Sequence, residues 1–181
     1  MNHYTATAKT LHWLMALLLV GLVTLGVYMH ELPLSPRKLQ LYSWHKWAGV
    51  TVFLLVALRL AWRLGHRPPA LPGTMPRFLR RVASATHGLL YLLMFAIPLS
   101  GWLMSSAKGF QTVYFGVLPL PDLLAKDAAL GDALQQLHFG LNLLFAVLVI
   151  GHAGAALKHH FIHRDDILAR MLPRRTQEKK S

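Results

Sequence analysis

The chain has 181 residues, of which 54% are hydrophobic and 14% charged, with no cysteine and a formal net charge of +12. A soluble domain carries about 25% charged residues, so this composition, with its apolar residues gathered into long runs, points to lipid rather than water. The missing cysteine excludes disulfides, iron–sulfur clusters and covalently attached c-type haem.

Crossing the hydrocarbon core takes roughly 20 mainly apolar residues. Four segments meet that requirement, at about 11–29, 44–64, 87–107 and 133–157. Backbone polar groups must be bonded internally in lipid, so each run is expected to be a helix. The expected fold class is all-α, an integral membrane four-helix bundle. It forms one domain over 1–172, followed by a polar cytoplasmic tail at 173–181.

The first run, Leu11–Met29, follows Lys9 as the core of a signal peptide would, but YMHELPLSP after it offers no small-x-small cleavage site, so the helix is expected to stay. It carries His12 near its start. Ser35-Pro36 reads as the start of the second helix, around Arg37 and well before the membrane, because proline is tolerated in a first turn. This helix carries His45 and, fourteen residues on, Arg59. RPPALPGTMPR at 67–77 cannot continue a helix. The third run, with His87, reads THGLLYLLMFAIPLSGWLM. The connection at 108–132 contains FQTVYFGVLPLPDLL, too apolar for a freely solvated loop, and is expected to lie on the outer membrane surface or to cap the bundle. The fourth run holds His138 and His152, and Pro173 with RRTQEKKS marks the tail.

Fourteen of the nineteen basic residues lie at the start of the chain, around the second connection or after the fourth run. The other five, Arg37, Lys38, Lys46, Lys108 and Lys126, lie around the first and third connections, diluted by Glu31, Asp122, Asp127 and Asp132. That bias is the positive-inside signature and places both termini in the cytoplasm. It accounts for most of the charge without nucleic acid. Trp13, Trp44, Trp47, Trp62 and Trp102 fall near the ends of the runs, where interface anchoring explains them.

Of eleven histidines, His3, His30, His66, His160 and His163 fall where a solvated surface is the default. His138 and His152 share one face of a helix, because fourteen residues make almost four full turns, and stand about 21 Å apart along it. No single ion bridges that distance, with metal–nitrogen bonds near 2 Å. Two sites stacked across the bilayer fit. The predicted topology sets His45 at the level of His138, on the outer side, and His12 and His87 at the level of His152, on the inner side. Hydrogen bonding between helices is the bland alternative for such pairs.

A planar haem suits two facing imidazoles better than zinc, which wants four protein ligands or three and a water. Gly49, Gly140, Gly151 and Gly154 near the proposed ligands would give a flat macrocycle access to the backbone, although glycine also serves plain helix contact. Arg59, on the face of His45 but about 21 Å deeper, either meets a haem propionate or snorkels to the inner surface.

Taken together, LHWLM with His12, WHKWAG with His45, the His138…His152 pair, THGLLYLLMFAIPLSGWLM and HAGAALKHHF resemble the four-helix bacterial cytochrome b561 family, over nearly the whole chain to about Pro173. The resemblance implies a bundle holding two non-covalent b haems in the bacterial inner membrane and electron exchange with quinone. By matching positions, His45 and His138 would hold the outer haem, and His12 and His152 the inner one. His87 is left to line the inner haem pocket or a quinone site, or to replace His12. His159 is a candidate for hydrogen bonding a quinone or carrying its proton, with an interfacial histidine as the alternative.

One cytochrome of that family acts as a superoxide oxidase feeding ubiquinone. The resemblance therefore implies an oxidoreductase that oxidises periplasmic superoxide at the outer haem. Arg37, Lys38, Lys46 and Lys108 would steer the anion there. The main rival is a haem relay subunit docked to a hydrogenase- or formate dehydrogenase-like partner. A third reading, a metal or proton transporter using histidines as waystations, predicts no haem spectrum.

Overall fold

A computed structural model describes residues 3–66, 68–70 and 75–172. The polar tail at 173–181 lies outside the described residues, as do positions 67 and 71–74 of the second connection. Four helices, α1 (Ala6–Glu31), α2 (Pro36–Gly65), α3 (Arg77–Ala107) and α4 (Ala128–Lys158), run the length of the molecule, and all four are long and apolar enough to cross a membrane. The expected all-α fold class holds. Among the described residues, the only strands are a two-residue pair, β1 (Val113–Tyr114) and β2 (Leu118–Pro119).

Each helix begins earlier than its apolar run, and three of the four are capped at that start. The Thr5 hydroxyl accepts from the Ala8 N–H (3.2 Å), Ser35 from Lys38 (3.3 Å) and Asp127 from Leu130 (3.0 Å). Such caps are worth about 1 kcal/mol each. Pro36 occupies the first turn of α2, as its fixed φ favours. The 31 residues of α3 span about 46 Å against about 30 Å of hydrocarbon, so its polar first turns stand clear of the oil.

The helices pack in chain-order pairs, α1 on α2 and α3 on α4, with α2 closing on α3. The core they enclose is Met15, Val52, Val56, Leu90, Leu93, Met94 and Phe145, with Val52 and Val56 fully buried. Phe145 lies midway between His138 and His152 in α4, so the core separates the two histidine levels.

Both ends of the bundle are closed by returning chain. At the His45 end, the β1–β2 hairpin folds onto α2. The Trp47 Nε1–H donates to Val113 O (2.6 Å), the Lys46 Nζ donates to Phe110 O (2.9 Å), and the Thr51 and Tyr114 hydroxyls pair at 2.9 Å. The hairpin turns through Phe115 and Gly116, both at positive φ (50° and 73°). The 108–132 connection therefore caps the bundle. At the other end, α4 passes into one π-helical turn, His159–His163, and stops at Arg164 in the left-handed region (φ 53°). Residues 165–172 then fold back. Lys9 Nζ donates to Leu172 O (2.8 Å), Trp13 Nε1 to Met171 O (3.0 Å) and Arg170 to Ala70 O (2.7 Å).

The tryptophans do more than anchor an interface. Trp13, Trp47, Trp62 and Trp102 all donate to protein oxygens and tie connections to helices, whereas Trp44 stays 47% exposed.

Candidate functional site

The helix pairing brings histidines from different helices face to face at two levels. His45 of α2 stands against His138 of α4, with ring centroids 6.4 Å apart and planes at 77°. His12 of α1 stands against His152 of α4, at 6.3 Å and 72°. His87 of α3 lies closer to His152, at 5.2 Å. All five side chains are half-buried.

A metal–nitrogen bond of about 2.0–2.1 Å and an imidazole radius of about 1.2 Å put two rings on opposite sides of one iron about 6.4 Å apart, centre to centre. Both α4 pairings match that spacing. The His87–His152 separation is too short for it, which sets His87 beside the pair rather than in it. Among the described residues, no cluster of three or more His, Asp or Glu side chains is arranged to hold a bare metal ion. His45/His138 and His12/His152 are the pairs with that spacing.

The ring environments fit the same group. The His138 Nδ1–H donates to Ile97 O (3.1 Å), and the Ser100 Oγ lies 2.9 Å from the same nitrogen. A carbonyl only accepts, so Nδ1 carries the proton and Nε2 keeps its lone pair for a metal. In His45, Nδ1 is buried with no hydrogen-bond partner among the described residues. Each ring leans on a glycine of a neighbouring helix. A Cβ at Gly26 of α1 would lie 3.4 Å from His45 Cε1, and one at Gly101 of α3 would lie 3.2 Å from His138 Cε1. Gly49, Gly140, Gly151 and Gly154, the glycines the sequence offers as backbone access, have no neighbour within 4 Å of a built Cβ. His45 and His138 line a cavity of about 40 Å³, small beside a macrocycle, together with Leu22, Val52, Met94 and Phe145.

At the His12 level, the Arg59 guanidinium donates to Ala8 O (2.8 Å), one turn from His12. It lines a cleft of about 260 Å³ together with Arg63, Trp62, His66 and Tyr91. The Arg63 guanidinium stacks over the Tyr91 ring at 5.5 Å. His159 sits at the start of the π-helical turn, and its Nδ1 meets Asp165 Oδ2 at 2.5 Å. Asp165 is held in turn by the Ile167 N–H (3.1 Å).

The proposed steering cations lie at the His45 end in different states. Lys46 and Lys38 donate to backbone carbonyls, of Phe110 and of His30 and Leu32, which leave their charge in place, although the Asp122 carboxylate acts on Lys46 from nearby. Arg37 is exposed. Lys108 is ion-paired with Asp132 (3.0 Å) and also donates to Gln135.

Gly26, Gly101, Ser100 and Asp165 are candidate site residues that sequence reasoning missed. Ser100 did carry a signal, because a polar residue inside an apolar run asks for a partner. Knowing that the partner is His138 requires the α3–α4 pairing.

Comparison with known proteins bears on the family. The family described as prokaryotic cytochrome b561 matches residues 3–174. Cytochrome b561 homolog 2 of Escherichia coli K12 is 36% identical, covering 94% of this chain and 92% of its own length. Cytochrome b561 homolog 1 of the same organism is 30% identical, covering 97% and 99%. A probable superoxide oxidase, CybB, of Yersinia pestis is 29% identical, covering 95% and 97%.

Proposed function

The chain belongs to the prokaryotic cytochrome b561 family, and on that premise we propose that it carries two b haems and moves electrons from superoxide to ubiquinone. Membership makes it a multi-pass membrane protein of electron-transfer type with b-type haem. The single observation behind two haems rather than one is the pair of iron-bridging histidine spacings, 6.4 and 6.3 Å, on either side of the apolar core.

In this reading His45 and His138 hold one haem, and His12 and His152 the other. With two imidazoles held for each iron, a haem, when bound, would supply a one-electron couple. Substrate oxygen is therefore not expected to bind the metal. His87, too close to His152 to share an iron with it, lines the second pocket. Arg59, in the cleft it shares with Arg63, would supply positive charge for the acidic groups of that haem.

The positive-inside bias turns the His45 end towards the periplasm of a bacterial inner membrane, with both termini in the cytoplasm. Superoxide is an anion, and Lys46, Lys38 and Arg37 offer positive charge there, that of Lys46 partly offset by Asp122 and that of Lys108 by its ion pair with Asp132. Two superoxides yield two oxygens and two electrons, and a quinone takes those electrons with two protons. His159, oriented by Asp165, is suited to hold the quinone and pass it a proton. Support for superoxide as donor comes from the Yersinia pestis relative's name together with these cations.

The relay reading draws on one observation. The hairpin beside Lys46 exposes Phe110, Phe115, Val117 and Leu118, an apolar surface suited to a protein partner. The test is stopped-flow spectroscopy of the purified protein. Superoxide is expected to reduce the haem bands rapidly and in proportion to its dose. Haem bands that ignore superoxide would refute the oxidase reading in favour of the relay subunit. A purified protein without haem bands would refute both.

A further inference from the structure

We propose that Ser100 is a positioning residue for His138 and makes the two ligands of the His45/His138 site unequal. The inference rests on the reading of that pair as axial ligands. Ser100 is 4% exposed inside an apolar helix, where a hydroxyl is expected to find a partner or pay its full desolvation cost. Its Oγ–H donates to Ile97 O at 2.8 Å, and its oxygen sits 2.9 Å from His138 Nδ1. With the direct bond from Nδ1 to Ile97 O (3.1 Å), the single Nδ1 proton is shared between two oxygens of one helical turn.

That arrangement does three things to His138. It fixes the tautomer, so that Nε2 alone can bind metal. It fixes the ring's rotation, because the two oxygens and Gly101 behind the ring leave one seat. It also draws the Nδ1 proton away from the ring, which raises the electron-donating power of Nε2. His45 has none of this, since its Nδ1 is buried and unpaired. A stronger donor favours ferric over ferrous iron. Ser100 therefore lowers the reduction potential of one haem, and His45 does not add to the effect.

The test is a spectroelectrochemical titration of purified wild type, Ser100→Ala, Ser100→Thr and Ser100→Val, with low-spin EPR on the same samples. Thr and Val match in shape and differ in the hydroxyl, so the comparison survives if Ala disturbs packing. In S100A and S100V one midpoint is expected to move to higher potential while the other stays in place. The g-values of one low-spin signal should move with it, because they report the angle between ligand planes. S100T should keep the wild-type values. If S100T and S100V titrate alike, or if both midpoints move together, the inference is wrong although the haem assignment stands. A wild type without two bis-histidine signals would instead overturn the proposed function, and this inference with it.

Discussion

Gly101→Ala is the sharpest probe of how His138 is held. The added Cβ would lie 3.2 Å from His138 Cε1 and 3.4 Å from Nδ1, so the ring must retreat by a few tenths of an ångström. It cannot do so freely, because Nδ1 is tied to Ile97 O and Ser100 Oγ on the same helix. Overpacking of this kind costs about 1–3 kcal/mol, and metal–ligand distances tolerate only about ±0.2 Å. If the strain falls on the ligand bond, haem affinity at this site drops about 5- to 150-fold. Gly21→Ala is the control, because its Cβ meets nothing within 4 Å, and alanine is better than glycine in a helix by up to about 1 kcal/mol. The assay is haem per protein by alkaline pyridine, after purification under limiting haem, with melting followed in parallel. G101A is expected to lose part of one haem equivalent while G21A keeps the full complement. Equal haem content in both variants would refute the claim that Gly101 seats the ring.

Other outcomes follow from the same geometry. Replacing His45 or His138 with alanine should remove one haem, replacing His12 or His152 should remove the other, and His87→Ala should leave two; haem stoichiometry decides each case. Asp165→Asn should slow quinone reduction several-fold without changing haem content, because the His159 ring loses its orienting carboxylate; unchanged quinone kinetics would dismiss the dyad. Lys46→Gln and Lys108→Gln should each slow reduction by superoxide about twofold at low salt, the second because it leaves the Asp132 carboxylate without its cation, both effects fading as salt is raised; stopped-flow rates report this. The Asp166 carboxyl is held below its usual range by the hydrogen bond from Arg170 (2.8 Å between the charged groups). The ion pair therefore supports the C-terminal segment above the ordinary carboxylate range and is lost as pH falls through the depressed value, so proteolysis of residues 165–172 should accelerate only in acid.

The fold was legible in the sequence because lipid imposes a simple rule. Long apolar runs must be helices, and the fourteen-residue spacing in α4 placed two imidazoles on one face at two depths. The pairing of levels followed from counting which helices start on which side. The supporting parts were hidden for a different reason. Gly101 and Ser100 lie on α3, yet their meaning comes from α4, and a hydropathy profile carries no information about which helices touch. Gly49, Gly140, Gly151 and Gly154 stood out because they neighbour the histidines in the chain. Gly26 and Gly101, distant in sequence, are the glycines that press on the rings. The His159–Asp165 contact was equally unreadable, because it depends on one π-helical turn and a left-handed Arg164. An ordinary α-helical turn has a different register.

The charges at the His45 end show why a count of basic residues misleads. A lysine bonded to a carbonyl keeps its full charge, whereas a lysine in an ion pair presents only a dipole, whose field dies quickly with distance. One uncompensated charge at about 8 Å in water attracts an anion by about 0.5 kcal/mol, roughly a twofold increase in local concentration. Lys46, Lys38 and Arg37 together would reach about tenfold at most, at the lower end of what steering achieves, and Asp122 near Lys46 takes part of that back. Lys108 adds little to that while Asp132 holds it. Asp132→Asn should therefore raise the rate with superoxide by freeing Lys108, in the direction opposite to every lysine substitution at this end. A rate that falls in D132N would mean that the ion pair serves to hold α3 and α4 together rather than to mask charge.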